Sequence, residues 1–245
     1  MTTLSSYLLV ANNLDKWRSI TVKTPDVATS TKQFKANIGK AASAEALIKN
    51  PGLFRYAMTA FGLGDMIYAK GLMTKVLQQG VAEKTALAHT LHNPKILEFA
   101  KAFDYAANGN LTTTSSALVA NVVDRYVENS LESSQEKQNP GVALALYFKR
   151  TAPSANSVYA ILADKKLLTV VQTALGISPR TSAQPIDTQA KLLSAKLKIS
   201  DFQDPAKLDR FIARFSAMYD TASSDPSGGA GGLNPTIAAL FNIVV

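Results

Sequence analysis

The stretch FKANIGKAASAEALIKNPGLFRYAMTAFGL, residues 34–63, decides the fold, because it recurs without a gap as FKRTAPSANSVYAILADKKLLTVVQTALGI, residues 148–177. Nine of the thirty positions are identical, among them Phe34/Phe148, Lys35/Lys149, Ser43/Ser157, Leu53/Leu167, Ala60/Ala174 and Gly62/Gly176. Other pairs, such as Leu47/Ile161, Ile48/Leu162, Phe61/Leu175 and Leu63/Ile177, exchange one apolar side chain for another. A packed position tolerates such swaps while its role persists. After a slip of seven residues through 178–185 the match resumes, with Leu72 facing Leu193 and Val76 facing Leu197. Later, Ile96, Phe99 and Phe103 face Leu208, Phe211 and Phe215. Two copies of one unit are therefore expected, over residues 32–105 and 146–219, each able to hold much of its own core.

The copies share a way of starting and stopping helices. Asn50-Pro51, Asn93-Pro94 and Asp204-Pro205, together with Asp164, offer side-chain oxygens to the free N–H groups of a first turn. Proline in the next position loses no hydrogen bond and brings a helical φ. Apolar residues then follow at helical spacing: Leu53, Ala57 and Phe61; Ile96, Phe99 and Phe103; Leu167, Val171 and Ala174; Leu208, Phe211 and Phe215. Gly62 and Gly176 stand where a left-handed residue closes a helix. The reading is an all-α, internally duplicated helical scaffold. Its expected core and caps are Phe34, Asn50, Phe61, Gly62, Phe103, Phe148, Asp164, Leu175, Gly176, Asp204 and Phe215.

Outside the copies the chain divides into three segments. Residues 1–31 carry an apolar trace in Leu4, Tyr7, Leu8, Leu14 and Trp17, limited by Pro25. Residues 106–145 read as a polar, threonine-rich loop over 106–116 and a connecting helix striped by Leu118, Val122 and Tyr126. Asn139-Pro140-Gly141 breaks the chain, and residues 142–149 are expected to be helical from the repeat, although 143–148 alternate as a strand would. Residues 220–245 read as a flexible Gly/Ser linker followed by an apolar C-terminal segment, and Asp65, Asp104 and Asp220 as loop residues.

Composition narrows the chemistry. There is no cysteine, hence no disulfide or thiolate chemistry, which fits a reducing compartment and equally permits export. No apolar run is long enough to span a membrane, and residues 1–10 lack the basic n-region and apolar core of a signal peptide. His89 and His92 lie three apart with no Cys, Asp or Glu neighbour to complete a zinc set, so both read as ordinary histidines and no metal is expected. Gly228-Gly229-Ala230-Gly231-Gly232 lacks the lysine and flanking elements of a phosphate cradle. Glu128 and Glu132 share a helix face without the further carboxylate and histidine partners of a di-iron site. No serine sits in a Gly-x-Ser-x-Gly elbow. The expectation is a non-enzyme without cofactor.

What remains is binding. The net charge of +8 admits a basic helical nucleic-acid-binding protein as the alternative function. The lysines are spread thinly with few aromatics among them, however, and a solvated basic surface is the preferred reading. The termini are the candidate partner-binding elements, through Leu8, Trp17, Leu240, Phe241 and Val244. Either they dock on the helical core, or they lie in a partner's groove as helical anchors.

The repeated residues also carry a resemblance. The pieces are Phe34-Lys35-Ala36-Asn37-Ile38, Ala60-Phe61-Gly62-Leu63-Gly64-Asp65, Asn139-Pro140-Gly141-Val142 with Ala145-Leu146-Tyr147-Phe148, and Leu162-Ala163-Asp164 followed by Thr173-Ala174-Leu175-Gly176-Ile177. Together they run through most of residues 30–215. In these pieces the chain resembles a bacterial family of uncharacterised all-helical proteins, encoded among flagellar basal-body and export genes, especially in alphaproteobacteria. The resemblance implies a flagellum-associated structural, adaptor or assembly role, cytoplasmic or at the flagellum. It implies rod, hook or export components as protein partners, no cofactor and no catalytic residue. Oligomeric state stays open.

Overall fold

In a computed structural model that describes residues 1–224, every described Asn–Pro or Asp–Pro pair starts a helix in one way. The side-chain oxygens of Asn50, Asn93, Asn139 and Asp204 each accept from the backbone N–H groups two and three residues on. Two orphan donors of each first turn are thereby satisfied.

The described residues are all-α, with no strand among them. Thr3–Ala11 (α1), Leu14–Lys23 (α2) and Pro25–Asn37 (α3) open the chain. Ala44–Lys49 (α4), Pro51–Ala60 (α5), Lys70–Gln79 (α6), Leu87–Thr90 (α7) and Pro94–Ala102 (α8) follow. Tyr105–Asn108 (α9) and Leu111–Thr114 (α10) are single turns before the long Ser116–Glu136 (α11). Pro140–Thr151 (α12), Val158–Leu162 (α13), Lys165–Leu175 (α14), Ile186–Ser194 (α15) and Pro205–Ser224 (α16) complete the series.

These helices form two compact units, Asp15–Leu131 and Met1–Leu14 with Glu132–Val245. The expected N-terminal segment 1–31 is thus divided at Leu14, and segment 106–145 is divided inside α11. In the unit Asp15–Leu131, Phe61, Phe99 and Phe103 meet edge to face or tilted, with centroids 5.2–6.1 Å apart. Beside them Phe34, Tyr56 and Tyr126 stack at 4.4 and 3.8 Å. In the other unit, α12 packs against α14 and α16, and Phe148, Phe202 and Phe211 cluster at 5.1–5.4 Å. Phe34, Phe61, Phe103, Phe148 and Phe215 are all buried, as expected.

Local structure recurs at the spacing read from the sequence. Ser43 caps α4 by accepting from Ala46 N–H, and Ser157 caps α13 by accepting from Ala160 N–H. Gly62 and Gly176 adopt φ of 66° and 63°, a conformation in which a Cβ clashes with its own backbone. Around them Leu63 and Ile177 N–H bond to Met58 and Gln172 carbonyls, both at 2.8 Å. That is the six-to-one bond of a Schellman closure.

Three expectations give way. The threonine-rich stretch 106–116 is not a loop: it holds most of α9 and all of α10, and Thr112 and Thr113 are buried. The Thr113 and Tyr105 hydroxyls both donate to the Ala41 carbonyl at 3.0 Å, so the polar groups are satisfied inside. Asp220 is not a loop residue or linker, because α16 continues to Ser224. Leu175 is half-exposed: it ends α14, and after the reversal at Gly176 the buried apolar position is Ile177.

Candidate protein-interaction surface

The N-terminal helix is the best-defined candidate. α1 belongs to the unit formed mainly by Glu132–Val245 and lies against α12 and α16. Its first turn is held by polar contacts. Thr2 caps the helix by accepting from Ser5 N–H. Thr3 N–H donates to both Asp220 carboxylate oxygens, at 2.9 and 3.2 Å, and the Thr3 hydroxyl donates to Oδ1 at 2.5 Å. The Asn139 amide donates to Thr3 Oγ1 at 3.1 Å, while the Asn139 oxygen caps α12. A carboxylate at a helix N-terminus also meets the positive end of the helix dipole.

Gly141 makes this approach sterically possible. A Cβ there would stand 2.6 Å from Tyr219 Cδ1 and 2.8 Å from Thr3 Cγ2. Beyond the clamp, Tyr7 and Val10 turn inward and are 3% and 2% exposed. Burial, with the nearby Asp209 carboxylate, pushes the Tyr7 hydroxyl well above its ordinary pKa and keeps it neutral. Leu8 and Leu9 turn outward and are 43% and 52% exposed. One helix face is thus spent on docking, and the opposite one presents two adjacent leucines to solvent.

The other candidates fall differently. Trp17 is half-buried on α2, while Ile20 and Val22 of that helix are exposed. Arg18 of α2 is paired with Glu128. Leu240, Phe241 and Val244 lie outside the described residues. Thr3, Asn139, Asp220 and Leu9 were not singled out as site residues by the sequence reading. Leu9 had a readable signal: in Leu8-Leu9-Val10, residues 100° apart on a helix cannot all face one core.

Several titratable groups hold helices together or cap them. The Tyr147 hydroxyl donates to Asp164 Oδ2 at 2.5 Å, and Asp164 Oδ1 caps α14 by accepting from Lys166 and Leu167 N–H. Burial first, then the Asp164 carboxylate, holds the Tyr147 hydroxyl protonated. Arg150 grips the buried Glu132 with two bonds, at 2.8 and 3.1 Å. His89 Nε2 lies 3.0 Å from the Val81 carbonyl and His92 Nδ1 2.6 Å from that of Thr90. Among the described residues no three His, Cys, Asp or Glu side chains assemble as metal ligands. No described helix is long and apolar enough to cross a membrane.

Comparison with known proteins places this geometry in a family. A family model described as a protein of unknown function (DUF1217) matches residues 60–208, more than half of the chain. The chain belongs to the DUF1217 family. The match begins at the last residue of α5 and ends within α16, so α1 and α2 lie outside it. A crystal structure of an Agrobacterium tumefaciens protein is similar at 35% identity, with a TM-score of 0.81 over 89% of this chain and 93% of that one. No curated protein matches the chain.

Proposed function

We propose that this DUF1217 protein is a non-enzymatic interaction component, acting as a structural, adaptor or assembly factor of the flagellum. The observation that carries the interaction role is the outward Leu8–Leu9 pair on a helix whose opposite face is anchored by Thr3, Tyr7 and Val10. An apolar pair on a rigidly seated helix offers a partner a preformed, low-entropy contact. The flagellar assignment rests on the family resemblance of the repeated pieces. Rod, hook or export components are the partners it names.

The test is affinity capture from the native host with the full chain and with a Leu8→Ser/Leu9→Ser variant. Recovery of identified flagellar components by the full chain and their loss in the variant is the expected result. Normal motility in a deletion strain, with no flagellar component recovered, overturns the assignment.

A nucleic-acid role is the second reading. It is favoured by Lys32, Lys35, Lys40 and Lys49, all exposed and none in an ion pair among the described residues. Phosphate binding of that kind weakens steeply as salt rises, and no binding at low salt removes it.

A further inference from the structure

The two copies differ in the connection that leads into α6 in one and α15 in the other. Between the matched pairs Leu63/Ile177 and Ala69/Ala190, the first copy has residues 64–68 and the second residues 178–189. Side chains fix the longer connection in place. Pro179–Ala183 forms a 3-10 turn, and the Gln172 amide donates to the Thr181 and Ser182 hydroxyls at 3.2 and 3.0 Å. The Gln189 amide donates to the Ser182 and Gln184 carbonyls at 3.3 and 2.7 Å. Gln172 is buried, and its match in the first copy is the buried Met58. A buried amide costs stability unless it is bonded. The copy with the insertion thus carries a polar core residue that holds it.

This region presents apolar and basic side chains together. Ile186, the first residue of α15, is 56% exposed. Tyr159 of α13, the helix packed against α15, is 50% exposed, and its hydroxyl donates to Asp187 at 3.0 Å. Arg180 lies in the 3-10 turn that contacts α15, and Lys191 follows Asp187 by one helical turn. Residues 165–200 carry six cations and one carboxylate, Asp187, whereas the matched residues 51–79 carry three cations and Asp65. Lys165, Arg180, Lys191, Lys196 and Lys198 are exposed, and none is in an ion pair among the described residues. The second copy therefore adds both an insertion and an unbalanced positive charge to the shared scaffold.

We propose that the face formed by α13, the Pro179–Ala183 turn and α15 docks an acidic segment of a protein partner. An apolar side chain of that segment rests on Tyr159 and Ile186, and its carboxylates meet Arg180 and Lys191. Asp187 holds the Tyr159 hydroxyl before binding, so little side-chain entropy is lost on docking. Unpaired cations around an apolar centre match a partner of opposite charge and speed its encounter. The Asp187 carboxylate beside both apolar side chains repels a phosphate, and Ile186 offers no ring for stacking a base. A polypeptide meets neither obstacle. This site is separate from the Leu8–Leu9 face and does not rest on the flagellar assignment.

The test selects phage-displayed random dodecapeptides on the full chain. The expected result is a set of peptides that pair an apolar side chain with several Asp or Glu residues. Synthetic copies are expected to bind Arg180→Glu/Lys191→Glu, and separately Tyr159→Ser/Ile186→Ser, at least about tenfold more weakly than the unaltered chain. All four side chains are exposed, so the variants stay folded, which thermal melting checks. Lys70→Glu/Lys75→Glu makes the same charge change at exposed positions of the first copy and is expected to leave peptide affinity unchanged. Equal weakening by the two charge reversals assigns the binding to net charge and overturns the proposal. So does a selection without acidic peptides, or affinity retained in the serine pair. A single-stranded DNA oligonucleotide that binds the full chain and is lost in Arg180→Glu/Lys191→Glu, with no acidic peptide selected, overturns the protein occupant. None of these readings depends on recovering a flagellar component, so the peptide result and the flagellar assignment fail separately.

Discussion

Asn50-Pro51-Gly52 and Asn139-Pro140-Gly141 are the same tripeptide, and each starts a helix with the same pair of capping bonds. Their surroundings part at the glycine. A Cβ at Gly52 would meet Asn50 Oδ1 at 3.5 Å, an ordinary contact. A Cβ at Gly141 would collide with Tyr219 and Thr3. The local rule is identical, and only the second copy of it has a helix from elsewhere in the chain lying across it. The difference marks where α1 is received, so a residue that looks like plain helix-start chemistry in one place is a docking determinant in the other.

The comparison breaks most severely in the cores. Phe34 and Phe148 occupy matched positions and are buried to the same degree, although one stacks on Tyr56 and the other meets Phe202 and Phe211. Each change to alanine is expected to destabilise by about 3–5 kcal/mol in denaturant unfolding. The same cost is expected for Phe103→Ala and Phe215→Ala. A near-neutral result at one member of a pair sinks the idea that the two positions have one role.

The glycine pair itself gives the next largest contrast. Gly141→Ala forces a methyl into the Tyr219 ring and is expected to destabilise by about 1–3 kcal/mol, as overpacking does. Gly52→Ala gains helix propensity without a clash and is expected to be neutral or stabilising by up to about 1 kcal/mol. Melting curves of the two variants decide the matter. Equal shifts in one direction would show that α1 does not constrain Gly141.

The helix caps sharpen it further. Asn50 is exposed, and the matched Asp164 is buried with the Tyr147 hydroxyl on its second oxygen. The residue matched to Tyr147 is the exposed Gln33. Where the cap is wet, water serves that oxygen; where it is dry, a side chain must. Tyr147→Phe is therefore expected to destabilise by about 1–3 kcal/mol, because it withdraws a donor from a buried carboxylate. Gln33→Ala is expected to change stability by less than about 0.5 kcal/mol. Guanidinium titrations of both variants test the pair.

These contrasts show how far the sequence could be read. Caps, closing glycines and the buried phenylalanines follow from rules that act within one turn or one periodic stripe, and they were legible. The burial of Thr113 was not, since its hydroxyl donates to the Ala41 carbonyl, some seventy residues away in the chain. Leu175 was misread because a match of residue types ignores that the helix ends there and passes the apolar position to Ile177. Of the candidate surface, Leu8 was legible as apolar, but its outward aim needed the position of α16. The clamp of Thr3 by Asp220 spans 217 residues of sequence and has no local signature.

The smallest expected effect on stability carries the most about function. Leu8 and Leu9 stand outside the packed face, so replacing both with serine removes little buried area from the described residues. Exposed positions of this kind change stability by less than about 0.5 kcal/mol each. Tyr7→Ala and Val10→Ala, on the opposite face of the same helix, remove buried side chains and are expected to cost several-fold more. The two pairs therefore separate docking from presentation on one short helix. If the serine pair leaves the melting temperature in place and abolishes partner recovery, the outward face is a binding surface. If it lowers the melting temperature as much as the alanine pair does, the outward leucines are covered in the intact chain by something that contributes to folding.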